Sequence, residues 1–350
     1  MRLPIAAVSL RLAALCLFAL PASVLAQVQA PAPVTGPAIG GALVKGEIDP
    51  AGYDFGALRY RPGQTLQFLG AQAAAQSAIA KAHGQASYQA VLQSHACLTT
   101  AERLTAAGFD SALLAPDAQS WSEQKADAET AYARFTAARE TILAGQPAPY
   151  PEFAPDATIM ARAASAPTPV VQALYRHHAE DQIWRHALVV GPPKSYADGV
   201  GKAGAIWLNA RLTNEGCATA AANNAWLKAT LNTVPWFDIK TYGKDADAAA
   251  WSLAEHADAD PALQKTVLQR MGQLAVNKQS NPANFAFLWD HVALSDGRAQ
   301  RYGTQMHCVG KVWAPISPVE EPAQLDERRR WVGLASEVTA QKAGARLCGG

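Results

Sequence analysis

The chain has 350 residues, 49% of them hydrophobic and 17% charged, with 30 Lys+Arg against 29 Asp+Glu. That balance excludes the strongly basic face that recruits nucleic acid or anionic lipid. The apolar content is ample for a core, yet past the N-terminal leader no run is long and apolar enough to span a bilayer, which takes about 20 residues.

The N-terminus has the three-part build of a secretory signal peptide. Arg2 and Arg11 supply positive charge, Leu12 to Leu20 is a short apolar run, Pro21 breaks it, and Val24-Leu25-Ala26 offers a cleavage site. Residues 1–26 are therefore read as a signal peptide, and the mature protein as periplasmic or secreted. Leu15, ahead of Cys16, is too large for the position before a lipid-bearing cysteine. Cleavage after Ala26 removes Arg2 and Arg11 and leaves 28 basic against 29 acidic residues.

Residues 27–60 are rich in Pro, Gly, Ala and Val with little periodicity, and read as a linker. Residues 61–160 form a first helical region. Gln64 to Ala82 carries Leu66, Leu69 and Ala73 on one stripe. Asp117 to Ala144 carries Trp121, Ala128, Tyr132, Phe135 and Ile142 at helical spacing, with Gly145 as a stop. The two are expected to pair as an antiparallel hairpin. Pro147, Pro149 and Pro151 mark a break.

A second helical region occupies residues 165–345. Helices are expected over Val170 to Leu188, Ala203 to Leu212, Ala218 to Leu231, Asp247 to His256, Pro261 to Lys278, Pro282 to Ser295 and Pro322 to Trp331. Asn232 to Gly243 interrupts them with a short extended piece. Asp260-Pro261 and Asn281-Pro282 are each a capping side chain followed by proline at the first helical position. Alternating runs are scarce, so the fold class is all-α in two helical regions: a hairpin-like N-terminal extension and a C-terminal domain with irregular polar loops.

Cys97, Cys217, Cys308 and Cys348 remain after cleavage. An even count in an exported chain points to two disulfides among three connectivities. Cys308–Cys348 is favoured because it pins the C-terminus, which leaves Cys97–Cys217 to tie the two halves of the chain together; the alternative is that some thiols stay free and buried.

Several motifs fail on context. "GVGKAG", Gly199 to Gly204, matches the dinucleotide pattern, but Pro192 and Pro193 stand where a strand should end and no βαβ pattern surrounds it. Tyr196 and Ala203 break the Walker pattern. There is no H-E-x-x-H and no G-x-S-x-G. No metal or cofactor is expected.

Four polar stretches remain. In "ALYRHHAEDQIWRHAL", His177, Asp181 and Arg185 share a helix face, and His178, Gln182 and His186 a neighbouring one. "EHADADPALQ" places His256 at a helix end, where the dipole favours its charged form, with Asp258 in the following turn. "DGRAQRYGTQMHC" offers Gln300, Tyr302, Thr304 and Gln305, with Gly303 free to make a tight turn. "LDERRRWVGL" puts three arginines in one turn, so that one binds an internal carboxylate and another faces an anionic ligand. For each the plain alternative is a solvated face, turn chemistry or buried-group satisfaction.

Taken in order, "AAAWSLAEHADADPALQKTVL", "NPANFAFLWDHVALSDGRAQRYGTQ" and "LDERRRWVGL" resemble the bacterial domain-of-unknown-function family 6624. "EDQIWR" and "VPWFDIKTYG" are similar to its upstream elements, so the likeness runs over about residues 168–340. The family implies no activity. The resemblance raises the residues that match its motifs: Asp181, Arg185, His256, Asp258, Gln264, Asp290, Gln300, Tyr302, Gly303, Thr304, Gln305, Arg328 and Arg329. His291 stands where the pattern has arginine. The stretch from Gln305 to Leu325 is long, and the tail lacks a tyrosine.

Three functions fit these residues. The first is an envelope binding module whose cleft takes a polar small molecule or envelope component. The second is a hydrolase or transferase with His256 as base, oriented by Asp258 or Asp290, Tyr302 nearby, and an arginine from 328–329 stabilising negative charge. The third is a buried polar network that fixes helix packing.

Overall fold

The computed structural model describes residues 39–348, apart from residue 95 and residues 189–193. The expected signal peptide, residues 27–38 of the expected linker, and Pro192 and Pro193 lie outside the described residues. The described chain is predominantly helical, as expected, and divides into two compact units. The first holds residues up to Pro155 with Gln182–Ala218; the second holds Asp156–Asp181 and the residues from Thr219 on.

The first unit corrects the linker reading. Residues 39–60 contain α1 (Ile39–Val44) and α2 (Phe55–Tyr60), with Leu43, Phe55 and Leu58 buried. The small residues that resemble a linker let the helices approach closely. A Cβ on Gly40 would lie 2.0 Å from the Ala71 carbonyl oxygen of α3 (Thr65–Ala82). One on Gly108 would lie 2.3 Å from the Phe55 ring, which packs edge-on against Phe109 at 5.0 Å.

After α4 (Tyr88–Gln93) comes α5 (Thr100–Leu114), a helix beyond those expected. Its signal was present. Thr99 and Glu102 form a reciprocal capping box. α3 packs on α5, and α6 (Ala118–Leu143) packs on α2 and α5, so the arrangement is a cluster rather than the expected hairpin of α3 with α6. Trp121 of α6 donates through Nε1 to Ser111 Oγ at 3.0 Å. Cys97–Cys217 forms as expected, with Cα atoms 5.7 Å apart.

Asp110 on α5 accepts from Gln72 Nε2 at 2.9 Å. Burial pushes its carboxyl up to about 6, with the Gln72 amide offsetting part of the rise. A carboxyl raised on folding contributes stability below its unfolded value near 4 and loses it as pH climbs through 6. Asp110→Asn is therefore expected to flatten this dependence and to exceed the wild type at pH 7 by about 3 kcal/mol. Urea unfolding of both proteins at pH 4 and pH 7 measures it; a variant no more stable than wild type at pH 7 refutes it.

The second unit begins with α7 (Ala154–Ala164). α8 (Pro169–Ala187) and α9 (Lys202–Thr230) each contribute to both units. α9 is one continuous helix where two were expected. Gly216 does not stop it but makes room for Trp184, whose ring a Cβ there would meet at 2.5 Å. Asn232 to Gly243 holds α10 (Ile239–Tyr242) in place of an extended piece. Then follow α11 (Lys244–Glu255), α12 (Pro261–Val276) and α13 (Pro282–Ser295).

Both Asx-Pro caps form. Asp260 accepts from Leu263 N at 3.0 Å, and Asn281 from Ala283 N at 2.9 Å. The core gathers Leu174, Leu227, Phe237, Leu253, Val267 and Leu288. Fully buried Asp247 pins the segment before α11, accepting from Trp236 Nε1, Ser280 Oγ and Asn281 N.

A hairpin, β1 (Met306–Val309) with β2 (Val312–Pro315), pairs Cys308 opposite Trp313 and adds a small antiparallel element to the helical fold. α14 (Leu325–Trp331) and α15 (Glu337–Ala345) close the chain. Gly344 seats against Trp313, and Cys308–Cys348 ties β1 to the turn after α15.

Candidate functional site

Asp290 on α13 is fully buried and aimed at the loop that follows. Its Oδ1 accepts from Arg301 N at 2.7 Å and Tyr302 N at 3.0 Å; its Oδ2 accepts from Thr304 N at 2.8 Å and Thr304 Oγ1 at 2.9 Å. Three backbone donors and one hydroxyl thus converge on one carboxylate. Burial pushes its pKa up, and these donors pull it back only in part. Gly303, at φ 57°, allows the reversal that brings Thr304 back to the same carboxylate.

Gln300 and Gln305 lock together. Gln300 Nε2 donates to the Gln305 carbonyl at 2.9 Å, and Gln300 Oε1 accepts from Gln305 N at 2.8 Å. Gln305 Nε2 reaches the Phe287 carbonyl at 3.4 Å. α14 closes the loop from outside. Arg329 is buried and donates to the carbonyls of Tyr302 (2.6 Å), Gly303 (3.3 Å) and Ala335 (2.6 Å). Its own pKa is drawn down by burial, against the charges of Asp326, Glu337 and Asp290. Arg328 donates to the carbonyls of Arg301 at 2.8 Å, Glu321 at 3.3 Å and Glu320. Neither arginine binds a carboxylate bidentately; both hold backbone oxygens.

His256, the residue after α11, takes a partner the sequence did not assign. Its Nδ1 meets Asp181 Oδ2 of α8 at 2.7 Å. Asp181 is 1% exposed and His256 18% by side chain. Asp258 pairs instead with His291 Nε2 at 2.7 Å, so the residue that departs from the family pattern completes a second pair. The two pairs flank buried Ala257 on a single turn. Gln264, one turn into α12, holds this turn from below by donating to the Glu255 carbonyl at 3.0 Å.

The expected residues therefore fall into two groups within the second unit. Asp290, Gln300, Tyr302, Gly303, Thr304, Gln305, Arg328 and Arg329 form one network. Asp181, His256, Asp258 and Gln264 meet at the turn after α11. Arg185 belongs to the first unit, its guanidinium over the Trp184 ring at 4.4 Å. Among the described residues no cluster of three or more His, Cys, Asp or Glu is placed to hold a metal ion. Also among them, no helix is long and apolar enough to cross a membrane.

Chemically, the Asp290 carboxylate, the Gln300 amide and both arginines of the first network are committed to the loop and the segments beside it. The imidazole of His256 is held through Nδ1 by the buried Asp181 carboxylate.

Residues 195–340 match a family of unknown function (DUF6624). The match covers the loop, both arginines and both histidines of the paired turn, and begins after "EDQIWR" with its Asp181. No curated protein matches the chain, and no solved structure does.

Proposed function

We propose that the polar signature from Asp290 to Arg329 is a structural network, and that the protein is a binding module of the cell envelope built on that scaffold. The observation that carries this reading is the saturation of Asp290. A carboxylate with no exposed surface and four donors in place has nothing left for a ligand. Arg329 extends the case, because each of its contacts is a backbone carbonyl of the same loop or the turn beside it.

A second reading rests on the His256–Asp181 pair. A partly exposed imidazole on a buried carboxylate is the arrangement of a hydrolase or transferase base. Asp181 would orient it, in place of Asp258 or Asp290.

Two variants separate these readings. Arg329→Ala leaves the Tyr302 and Ala335 carbonyls without their donor and is expected to cost about 2–4 kcal/mol, read as a fall in Tm. A Tm within error of wild type removes the structural reading. His256→Ala, assayed against ester, phosphate and glycan substrates, tests the second. Turnover in wild type that vanishes in a folded variant makes the protein an enzyme; turnover unchanged in the variant excludes His256 as the base.

A further inference from the structure

The Asp290 carboxylate and the Gln300 amide of the second unit are saturated by their own loop; the first unit contains the opposite case. A cleft of about 640 Å³ runs along one face of α3 and the turn into α4. It is an open groove, floored by buried Ala80, with Ser77, Gln85 and Gln89 exposed along it. Gln76, Ser77, Gln85 and Gln89 project amides and a hydroxyl around it, and none of these side chains makes a hydrogen bond among the described residues.

The wall that carries them is fixed. Gly84 N and Gln85 N donate to the Lys81 and Ala80 carbonyls at 3.1 and 2.9 Å. Ser87 caps α4 by accepting from Ala90 N at 3.2 Å. Val91 anchors α4 in a buried cluster with Ile79, Ala80, Leu98 and Ala106. A rigid backbone thus presents uncommitted polar side chains. That combination lowers the ordering cost of binding.

The lining also selects a chemistry. It contains no carboxylate, so it offers a cation no partner; Lys81 is its single charge, too little for a polyanion. Ala73, Ala80, Gly84 and Ala86 leave shallow apolar ground between the amides, and a Cβ on Gly84 would meet nothing within 4 Å. Tyr88 stays a neutral phenol, its pKa raised to about 12, chiefly by burial. Neutral donors and acceptors interleaved with small apolar patches suit a ligand that alternates hydroxyls with C–H faces.

We propose that this cleft binds a neutral oligosaccharide through Gln76, Gln85 and Gln89. The proposal rests on the reading of the protein as a binding module and places its ligand on residues of the first unit that precede the family-matched segment in sequence. The test is an NMR titration of the ¹⁵N-labelled full chain with chitotetraose, cellotetraose and maltotetraose. Saturable shifts confined to residues 73–89 are expected for at least one of them. The double variant Gln85→Ala/Gln89→Ala, both sites solvent-exposed, is expected to weaken that binding at least tenfold with Tm unchanged.

No shifts with any of the three saccharides, or binding unaltered in the double variant, overturns the cleft. Saturable shifts that instead map to the turn at His256 overturn the cleft while leaving the binding-module reading standing. Failure of the Arg329→Ala test removes the structural reading and leaves the cleft untouched.

Discussion

Asp290→Ala is expected to lower the melting temperature of the second unit by about 6–12 °C, corresponding to about 3 kcal/mol or more. The substitution deletes one side chain but strands three backbone N–H groups, those of Arg301, Tyr302 and Thr304, together with the Thr304 hydroxyl. A buried donor left without a partner costs about 1–3 kcal/mol, far more than a typical hydrogen bond contributes net. The loop cannot simply relax into water, because Arg329 closes it from the other side through the Tyr302 and Gly303 carbonyls. Asp290→Asn keeps one acceptor and turns an NH₂ toward the remaining donors, so it should fall between wild type and alanine. Thermal unfolding by circular dichroism ranks the three; an alanine variant that melts with the asparagine variant would show that the carboxylate is not what holds the loop.

Loss of Cys97–Cys217 is the other large effect. The bond closes a sequence separation of 120 residues, and the chain-entropy treatment gives about 5 kcal/mol for a loop of that size. Cys308–Cys348 closes 40, for about 4 kcal/mol. The first also has a local consequence, since Cys97 stands two residues ahead of the Thr99 cap of α5. Serine replacement of each pair, followed by urea unfolding, should move the midpoint further for Cys97/Cys217 than for Cys308/Cys348. A midpoint unmoved by the Cys97/Cys217 replacement would mean that the helices of the first unit fix that geometry unaided.

Much of the fold is legible in the sequence because its signals are local. Asp260-Pro261 and Asn281-Pro282 start helices by chemistry contained in four residues, and both start where expected. Both disulfides form in the expected pairing. Local signals also mislead. The Gly and Ala of residues 39–60 have the composition of a linker, and only contact with α3 and α5 shows that they are small for packing. Thr99 and Glu102 carry a readable capping box that marks the start of α5.

The candidate site divides along the same line. Gln300 and Gln305 are five residues apart, and their mutual bond is a property of one loop. Asp181 and His256 are 75 residues apart, and nothing in the spacing of either stretch selects the other. The choice among Asp181, Asp258 and Asp290 as partner of His256 is made by how α8 and α11 pack. His291 illustrates the converse: a departure from the family pattern finds a carboxylate, Asp258, 33 residues away in sequence.

The division between the units falls inside helices, after Asp181 in α8 and after Ala218 in α9. Heredity therefore cannot treat either unit as an unbroken stretch of code. The family-matched segment, residues 195–340, carries 24 residues of the first unit, 195–218, and omits the 156–181 stretch of the second, including the carboxylate on which His256 rests. A recombination breakpoint at its edge would deliver a histidine without its aspartate. Only an exchange that carries both crossing helices moves the paired turn intact.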